Sequence, residues 1–460
     1  MFQFKRYLFA LSLIIAMPSM HAQWAFEGPV PPITQGYGAF GTAAVTSEFF
    51  SIAPDSSLEC TDTIRGIITY PTGISSKKPV VFRFPGGSNQ NLSDSTYYKK
   101  SQFYREFVAS HGYVSVTMQW NSSTSHYGCA YQMVNEIAAL HANKIDTSRV
   151  GIHGMSQGAA ITNWLSLKMY INHNWGANGR FSWPDAGASF IGFTEDWPND
   201  IQTQTDSGLA AMPDDVLYLM TLSDWDNIVD PRTCIDMFNF MGVPDSNKEF
   251  MILRGDTINN YIYWATHFTT STYEEDSSQF VVYISKYDAL DYWYGSRLLH
   301  SLMEAAWTGD PAARQICMGN GDSTQTTIAN GAIRGPIVTD SPWMNMFASW
   351  NSNQGYMYSC QVSWNMRQYV TADACFSLSL PESETTPGLK VFPNPAKVRS
   401  SINIKVDKGI EHIQVISAAG RTIFESTQGP IEINQSGIYF LLISLKDGTR
   451  QSAKVLITDW

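Results

Sequence analysis

A chain of 460 residues is longer than one average domain, so two or three folded units are expected. Its net charge of −11 disfavours a nucleic-acid partner. With 15% charged residues but 14 Trp and 22 Tyr, the surface is polar through neutral side chains, which suits an extracellular protein that handles neutral substrates.

The start of the chain agrees with that compartment. Lys5 and Arg6 precede an apolar run over residues 7–16 that is too short to span a bilayer. Pro18 breaks the run, and Met20-His21-Ala22 offers a cleavage site before Gln23. Residues 1–22 therefore read as a secretory signal peptide, with an uncleaved anchor as the alternative. No Cys follows the run, which argues against a lipoprotein, and no other stretch reads as an integral membrane segment. The six cysteines are Cys60, Cys129, Cys234, Cys317, Cys360 and Cys375. An even count in an exported chain implies disulfides, with about 15 connectivities open. C-x-x-C spacing is absent, so zinc and thioredoxin-like chemistry are poor readings. Cys317, Cys360 and Cys375 are expected to staple a loop-rich region, and Cys234 to brace the loop of the candidate acid.

Residues 23–57 are rich in Gly, Pro and aromatics and read as an extended arm lying on the domain. Apolar strand-like runs then alternate with helix-like ones. Strands are expected at 63–70, 79–84, 113–120, 150–153, 188–193, 216–222 and 250–253. Helices are expected at 97–110, ended by His111-Gly112, at 127–143, at 159–170, and at 289–307, ended by Gly309. Strands apolar throughout and interleaved with helices mean an α/β fold, a mostly parallel sheet covered on both faces, over residues 58–376. Within it, 309–376 lacks a clear period and reads as a cystine-held extension. A Ser/Glu/Thr/Pro linker spans 377–388. Residues 389–460 change to alternating patterns with Gly-containing turns, the pattern of a small all-β sandwich domain.

The centre of the larger unit is Gly154-Met155-Ser156-Gln157-Gly158, a G-x-S-x-G between a β-branched run and a small-residue helix start. In such a nucleophile elbow the serine sits at a strained strand-to-helix corner, where side chains on either glycine would collide with neighbouring backbone. A serine hydroxyl needs a base, and in this architecture the chain order is Ser, acid, His. Of nine histidines, six precede the expected acid strand. His412 lies beyond the linker and His300 inside a helix, which leaves His267 in Trp264-Ala265-Thr266-His267-Phe268 as the base. The strand at 216–222 ends in Ser223-Asp224-Trp225-Asp226, and Asp226 is the preferred acid, with Asp224, Asp230 and Asp196 as alternatives. Its role would be to accept the imidazole N–H and hold the tautomer. The oxyanion hole calls for the N–H of Gln157 and one from Pro85-Gly86-Gly87-Ser88, with Gly87 first and Ser88 second. Trp197, Trp225 and Trp264 are candidate substrate walls. No metal or cofactor is called for.

Residues from about Cys60 to Asn320 resemble secreted α/β-hydrolases of the polyester hydrolase, cutinase and chlorophyllase-like group. The resemblance is carried by Phe84-Pro85-Gly86-Gly87, Phe107-Val108-Ala109-Ser110-His111-Gly112-Tyr113, the elbow, Asp226-Asn227-Ile228-Val229 and Thr266-His267-Phe268. It implies an α/β-hydrolase fold, a triad of Ser156, Asp226 and His267, oxyanion donors at Gly87 and Gln157, and carboxylic ester hydrolysis without a cofactor. Members similar to PET hydrolases have an aromatic residue at the position of Gly87 and a Met at that of Gln157; Ser156-Gln157-Gly158 is similar to the Ser-Gln-Gly of cutinases and other esterases. The tail resembles a type IX secretion sorting domain through Val391-Phe392-Pro393-Asn394-Pro395-Ala396, Ala418-Ala419-Gly420-Arg421, Gly437-Ile438-Tyr439-Phe440 and Lys454-Val455-Leu456-Ile457. That implies export through the type IX machinery to the cell surface or the medium. An ordinary β-sandwich binding module is the alternative.

The expectation is thus a secreted serine esterase acting on a polyester such as PET or cutin, a lipid or an acylated polysaccharide. A serine peptidase uses the same triad. A third reading is a degenerate hydrolase that only binds, though binding needs no triad in order.

Overall fold

The structure is a computed structural model, and it describes residues 26–86, 94–119, 126–186, 206–226, 231–270, 287–342 and 389–458 except 395, 418–421 and 448. The described residues fall into two compact units, one running up to Pro342 and one from Leu389 onward. The signal peptide, the strand expected at 188–193, the linker, Cys360 and Cys375 lie outside the described residues.

The first unit carries a sheet of nine strands. In chain order they are β1 (Val45–Ile52), β2 (Ile64–Pro71), β3 (Lys78–Phe84), β4 (Val114–Gln119), β5 (Ile145–Met155), β6 (Arg180–Asp185), β7 (Leu217–Ser223) and β8 (Lys248–Leu253). A small hairpin of β9 (Asp256–Ile258) and β10 (Tyr261–Tyr263) follows, and β11 (Ile337–Thr339) completes the large sheet. The spatial order is β1-β2-β4-β3-β5-β6-β7-β8-β11. Strands β4, β3, β5, β6, β7 and β8 run parallel. The β1–β2, β2–β4 and β8–β11 pairs are antiparallel.

The helices are α1 (Asp94–Ser110), α2 (His126–Leu140), α3 (Gln157–Leu167), α4 (Asp206–Ala210), α5 (Pro231–Phe240), α6 (Arg297–Thr308), α7 (Pro311–Cys317) and α8 (Ser323–Thr326). Interior strands β4 and β7 are buried along their whole length. That requires cover on both faces; β7 accordingly reads as a near-continuous apolar run, whereas β4 alternates apolar with small polar side chains that are buried all the same. On one face Val81, Trp183, Leu217 and Leu219 join Phe103 and Phe107 of α1 and Leu298 and Leu302 of α6 in one core. On the other face Tyr218, next in β7, donates its hydroxyl to Asn163 Oδ1 of α3 at 2.9 Å. Helix α6 stops at Gly309, whose φ of 73° is the left-handed cap that glycine takes without steric cost.

In the first unit the structure departs from the sequence reading at several points. The stretch expected to be an arm over residues 23–57 contains β1, an edge strand paired along its length with β2. Its preceding part does lie on the domain: Val30 is buried in the core and donates its N–H to Tyr263 Oη at 2.9 Å. Strand β6 occupies 180–185, where no strand was expected. The stretch after Gly309 holds α7, α8 and β11. Cys60 and Cys129 form a disulfide, whereas Cys317 is a buried free thiol and not part of a staple.

The second unit has two small sheets. Its strands are β12 (Lys390–Phe392), β13 (Ala396–Lys397), β14 (Ser401–Lys405), β15 (Ile410–Ser417), β16 (Thr422–Ser426), β17 (Ile431–Glu432), β18 (Gly437–Leu445) and β19 (Arg450–Thr458). They are ordered β12-β14-β17 and β13-β19-β18-β15-β16. All pairs are antiparallel except β13–β19. Ile413, Val415, Leu441, Ile443 and Val455 point into one core with Ile402 and Ile431, the period-two pattern that the sequence displays. Strand β16, which the sequence reading passed over, closes the edge of the larger sheet.

Candidate functional site

Strand β5 ends at Met155 and α3 begins at Gln157, so Ser156 alone makes the corner. Its backbone sits at φ 55° and ψ −120°, a conformation unfavourable for a residue with a Cβ. The flanking glycines make that corner sterically possible. A Cβ on Gly154 would lie 2.1 Å from the carbonyl oxygen of Gly158. One on Gly158 would lie 2.0 Å from the carbonyl oxygen of Phe84, the last residue of β3. Gly86, just beyond β3, runs so close to the corner that its own Cβ would approach Ser156 Cβ to 2.8 Å. The corner is held from the far side by the Ser156 N–H, which donates to Asp185 O at 2.9 Å.

The loops after β7 and β10 converge on this corner. His267 Nε2 lies 2.7 Å from Ser156 Oγ, and His267 Nδ1 lies 2.7 Å from Asp226 Oδ2. The three side chains are nearly closed to solvent, at 7%, 3% and 2% exposure for Ser156, His267 and Asp226. With a carboxylate accepting at Nδ1, the imidazole carries its proton there and leaves the Nε2 lone pair for the serine O–H. Such a line can pass the hydroxyl proton to the ring while the carboxylate stabilises the cation formed.

Asp224, the near alternative for the acid, has another task. Its Oδ1 accepts the Gly255 N–H at 3.0 Å, which ties the β7 loop to the turn after β8, and burial raises its pKa. Asp196 and Asp230 lie outside the described residues. His153 is wholly buried on β5, stacked 4.2 Å from the Trp183 ring, and burial lowers its pKa to about 4. His300 is half-buried beside His111, 3.8 Å between ring centroids.

Gln157 is the first residue of α3, so its N–H has no intrahelical acceptor and belongs to the positive end of the helix. Gly87, Ser88 and Trp197 lie outside the described residues. Trp225 is 52% exposed and packs edge-on against Trp264, with ring centroids 4.8 Å apart. The pair adjoins the acid in one loop and precedes the base in the other, and the Trp225 N–H donates to Ala265 O at 3.0 Å. Among the described residues no group of three or more His, Cys, Asp or Glu is arranged to hold a metal ion, and no helix is long and apolar enough to cross a membrane.

One polar residue that the sequence reading missed is Asp185, at the end of β6 and 1% exposed. Its Oδ1 accepts the Thr221 hydroxyl at 2.5 Å, and its Oδ2 accepts the Thr270 hydroxyl. The available signal was an Asp after Phe181-Ser182-Trp183, but Pro184 makes that stretch a poor candidate for an interior strand.

No curated protein sequence matches the chain. Two solved structures of the esterase Est22 are similar to it at 14% and 17% identity, covering 45% of this chain in each case and 71% and 72% of theirs, with TM-scores of 0.35 and 0.34. Residues 390–458 match the family described as a secretion system C-terminal sorting domain, a type IX sorting tail that supports export and a cell-surface or secreted location.

Proposed function

We propose that the protein is a secreted serine esterase in which Ser156, His267 and Asp226 form the catalytic triad. The carrying observation is the unbroken line Ser156 Oγ, His267, Asp226, with 2.7 Å at each step, at a strained G-x-S-x-G corner. His267 Nε2 takes the hydroxyl proton as Ser156 Oγ attacks the ester carbonyl carbon. The carbonyl π electrons move onto oxygen, and the N–H groups of Gln157 and Gly87 receive that oxyanion. Collapse of the intermediate breaks the bond to the alcohol oxygen, which leaves with the proton from His267. The acyl-serine is then hydrolysed by a water that His267 deprotonates in the same way. Asp226 keeps its charge throughout and stabilises the imidazolium.

The substrate side rests on Trp225 and Trp264, an aromatic pair partly open to solvent beside the acid and base loops. Flat apolar walls suit the acyl or alcohol part of a polyester of the PET or cutin kind, with Trp197 as a further wall. Purified protein should hydrolyse p-nitrophenyl esters and release soluble acid from a polyester film, and Ser156→Ala should do neither. Cleavage of peptide amides at a rate matching the esters would replace the esterase reading by a peptidase one. Folded protein inert on both would remove the enzymatic reading.

A further inference from the structure

The loops that carry the base and the acid need something to hold them against the serine corner. The three elements meet at one residue, Asp185. Asp185 pairs in register with Met155 of β5 on one side and Thr221 of β7 on the other. Its main-chain oxygen takes the Ser156 N–H. One carboxylate oxygen takes the hydroxyl of Thr221, in the strand that leads to Asp226. The other takes the hydroxyl of Thr270, in the turn that follows His267.

Two hydroxyls donate to that carboxylate, one to each oxygen. The Thr221 hydroxyl is itself oriented by the Trp183 indole N–H, which donates to its oxygen at 2.8 Å. His153 Nε2 stands 3.9 Å from Oδ2. An acceptor-only group fits that surrounding. A buried carboxylate is costly unless its lone pairs are used, and this one uses them on two separate chain segments. The residue after it adds a second sign. Ala186 has φ 47°, next to the strained Ser156, and donates its N–H to Thr221 O at 3.0 Å. Backbone strain of this kind collects where surrounding contacts over-determine a site.

We propose that Asp185 is a positioning residue of the site, whose carboxylate, through Thr270, fixes the His267 loop against the Ser156 corner. The proposal rests on the esterase reading for its kinetic consequence only. Asp185 does not touch substrate; it acts through the loop that sets where His267 Nε2 stands. A base displaced by about an ångström costs up to about a hundredfold in rate, and substrate binding at the tryptophan pair is not involved.

The test uses the full-length protein with Thr270→Val, Thr270→Ser and Asp185→Ala. Two readouts are taken: kcat and KM on a soluble chromogenic ester, and the downfield proton signal of the His267 Nδ1–H bonded to Asp226 in 15N-histidine-labelled protein. Thr270→Val removes one hydroxyl without adding bulk and keeps the variant series informative if Asp185→Ala does not fold. Its kcat should fall about ten- to a hundredfold with KM unchanged, and its His267 proton signal should broaden away. Thr270→Ser, which keeps the donor, should restore both. An unchanged kcat in Thr270→Val, a change confined to KM, or a Thr270→Ser protein as slow as Thr270→Val overturns the proposal. If the parent protein turns over no ester, the esterase reading fails by itself and the proton signal decides: its survival in Thr270→Val overturns the positioning role, and its loss there with recovery in Thr270→Ser upholds it.

Discussion

Two histidine clusters in the first unit, one buried and one half-buried, place the same ring among different partners. At the serine corner, His267 bridges a hydroxyl and a carboxylate, 2.7 Å from each. Against the segment ahead of β1, His111 and His300 face each other and bond to its backbone. The Gly38 N–H donates to His300 Nδ1 at 3.3 Å, and His111 Nε2–H donates to Ala39 O at 3.0 Å. The nearest carboxylate, Glu304, is 3.9 Å from His300 Nε2 and already accepts the Tyr113 hydroxyl at 2.7 Å. Asp310 accepts from Tyr37 at 2.5 Å and only partly offsets the burial of His300. Burial lowers the pKa of both rings to about 4, with mutual repulsion adding to it at His111. In the proposed mechanism His267 gains a proton in each turnover and has a carboxylate beside it; His111 and His300 bond to backbone instead.

The sharpest way to break this contrast is to remove one ring from each cluster. Ser156→Ala and His267→Ala should each lower kcat by about 10⁵- to 10⁶-fold, measured by steady-state ester hydrolysis. His300→Ala should leave kcat nearly unchanged and lower the melting temperature, because it deletes packing and the bond from Gly38. Equal loss of kcat in both clusters would erase the distinction. The two aspartates of the β7 loop give the next largest effect. Asp226→Asn should cost about 10⁴-fold in kcat, while Asp224→Asn should act on stability, since its carboxylate serves the Gly255 N–H.

A smaller effect is expected from acid. His111, His153 and His300 take up protons near pH 6.5 in the unfolded chain but only near about 4 in the fold. Between those values the unfolded state binds more protons, so stability should be full above about pH 6.5 and should fall as pH drops toward 4. Urea midpoints against pH would show this slope, and His300→Gln should make it shallower; an identical slope in that variant would remove His300 from the account. The least effect is expected at the proposed substrate wall. Trp225→Ala should raise KM about fivefold with kcat held, the pattern of lost uniform binding.

How much of this the sequence disclosed depended on whether a local pattern or a tertiary contact carried the information. The elbow was legible because Gly154 and Gly158 leave a fixed spacing around Ser156, and His267 because chain order left few histidines. The tail strands were legible from period-two burial. Asp224 stood beside Asp226 as an acid candidate, because its hydrogen bond to Gly255, 31 residues along the chain, leaves no local pattern. Strand β6 and Asp185 were missed because Pro184 and the polar residues Ser182 and Asp185 break the apolar run, although every residue of the strand is buried. Strand β1 was hidden in the same way by the glycines and prolines ahead of it, since an edge strand earns its place by pairing with β2 and not by its own composition.

The central claim is that His267 activates Ser156. It is tested most directly by treating the purified, folded protein with a fluorophosphonate and mapping the modified peptide by mass spectrometry. The account predicts one adduct per chain, on Ser156, that is lost in His267→Ala. Folded protein that takes no label, or takes it at the same rate without His267, would contradict it.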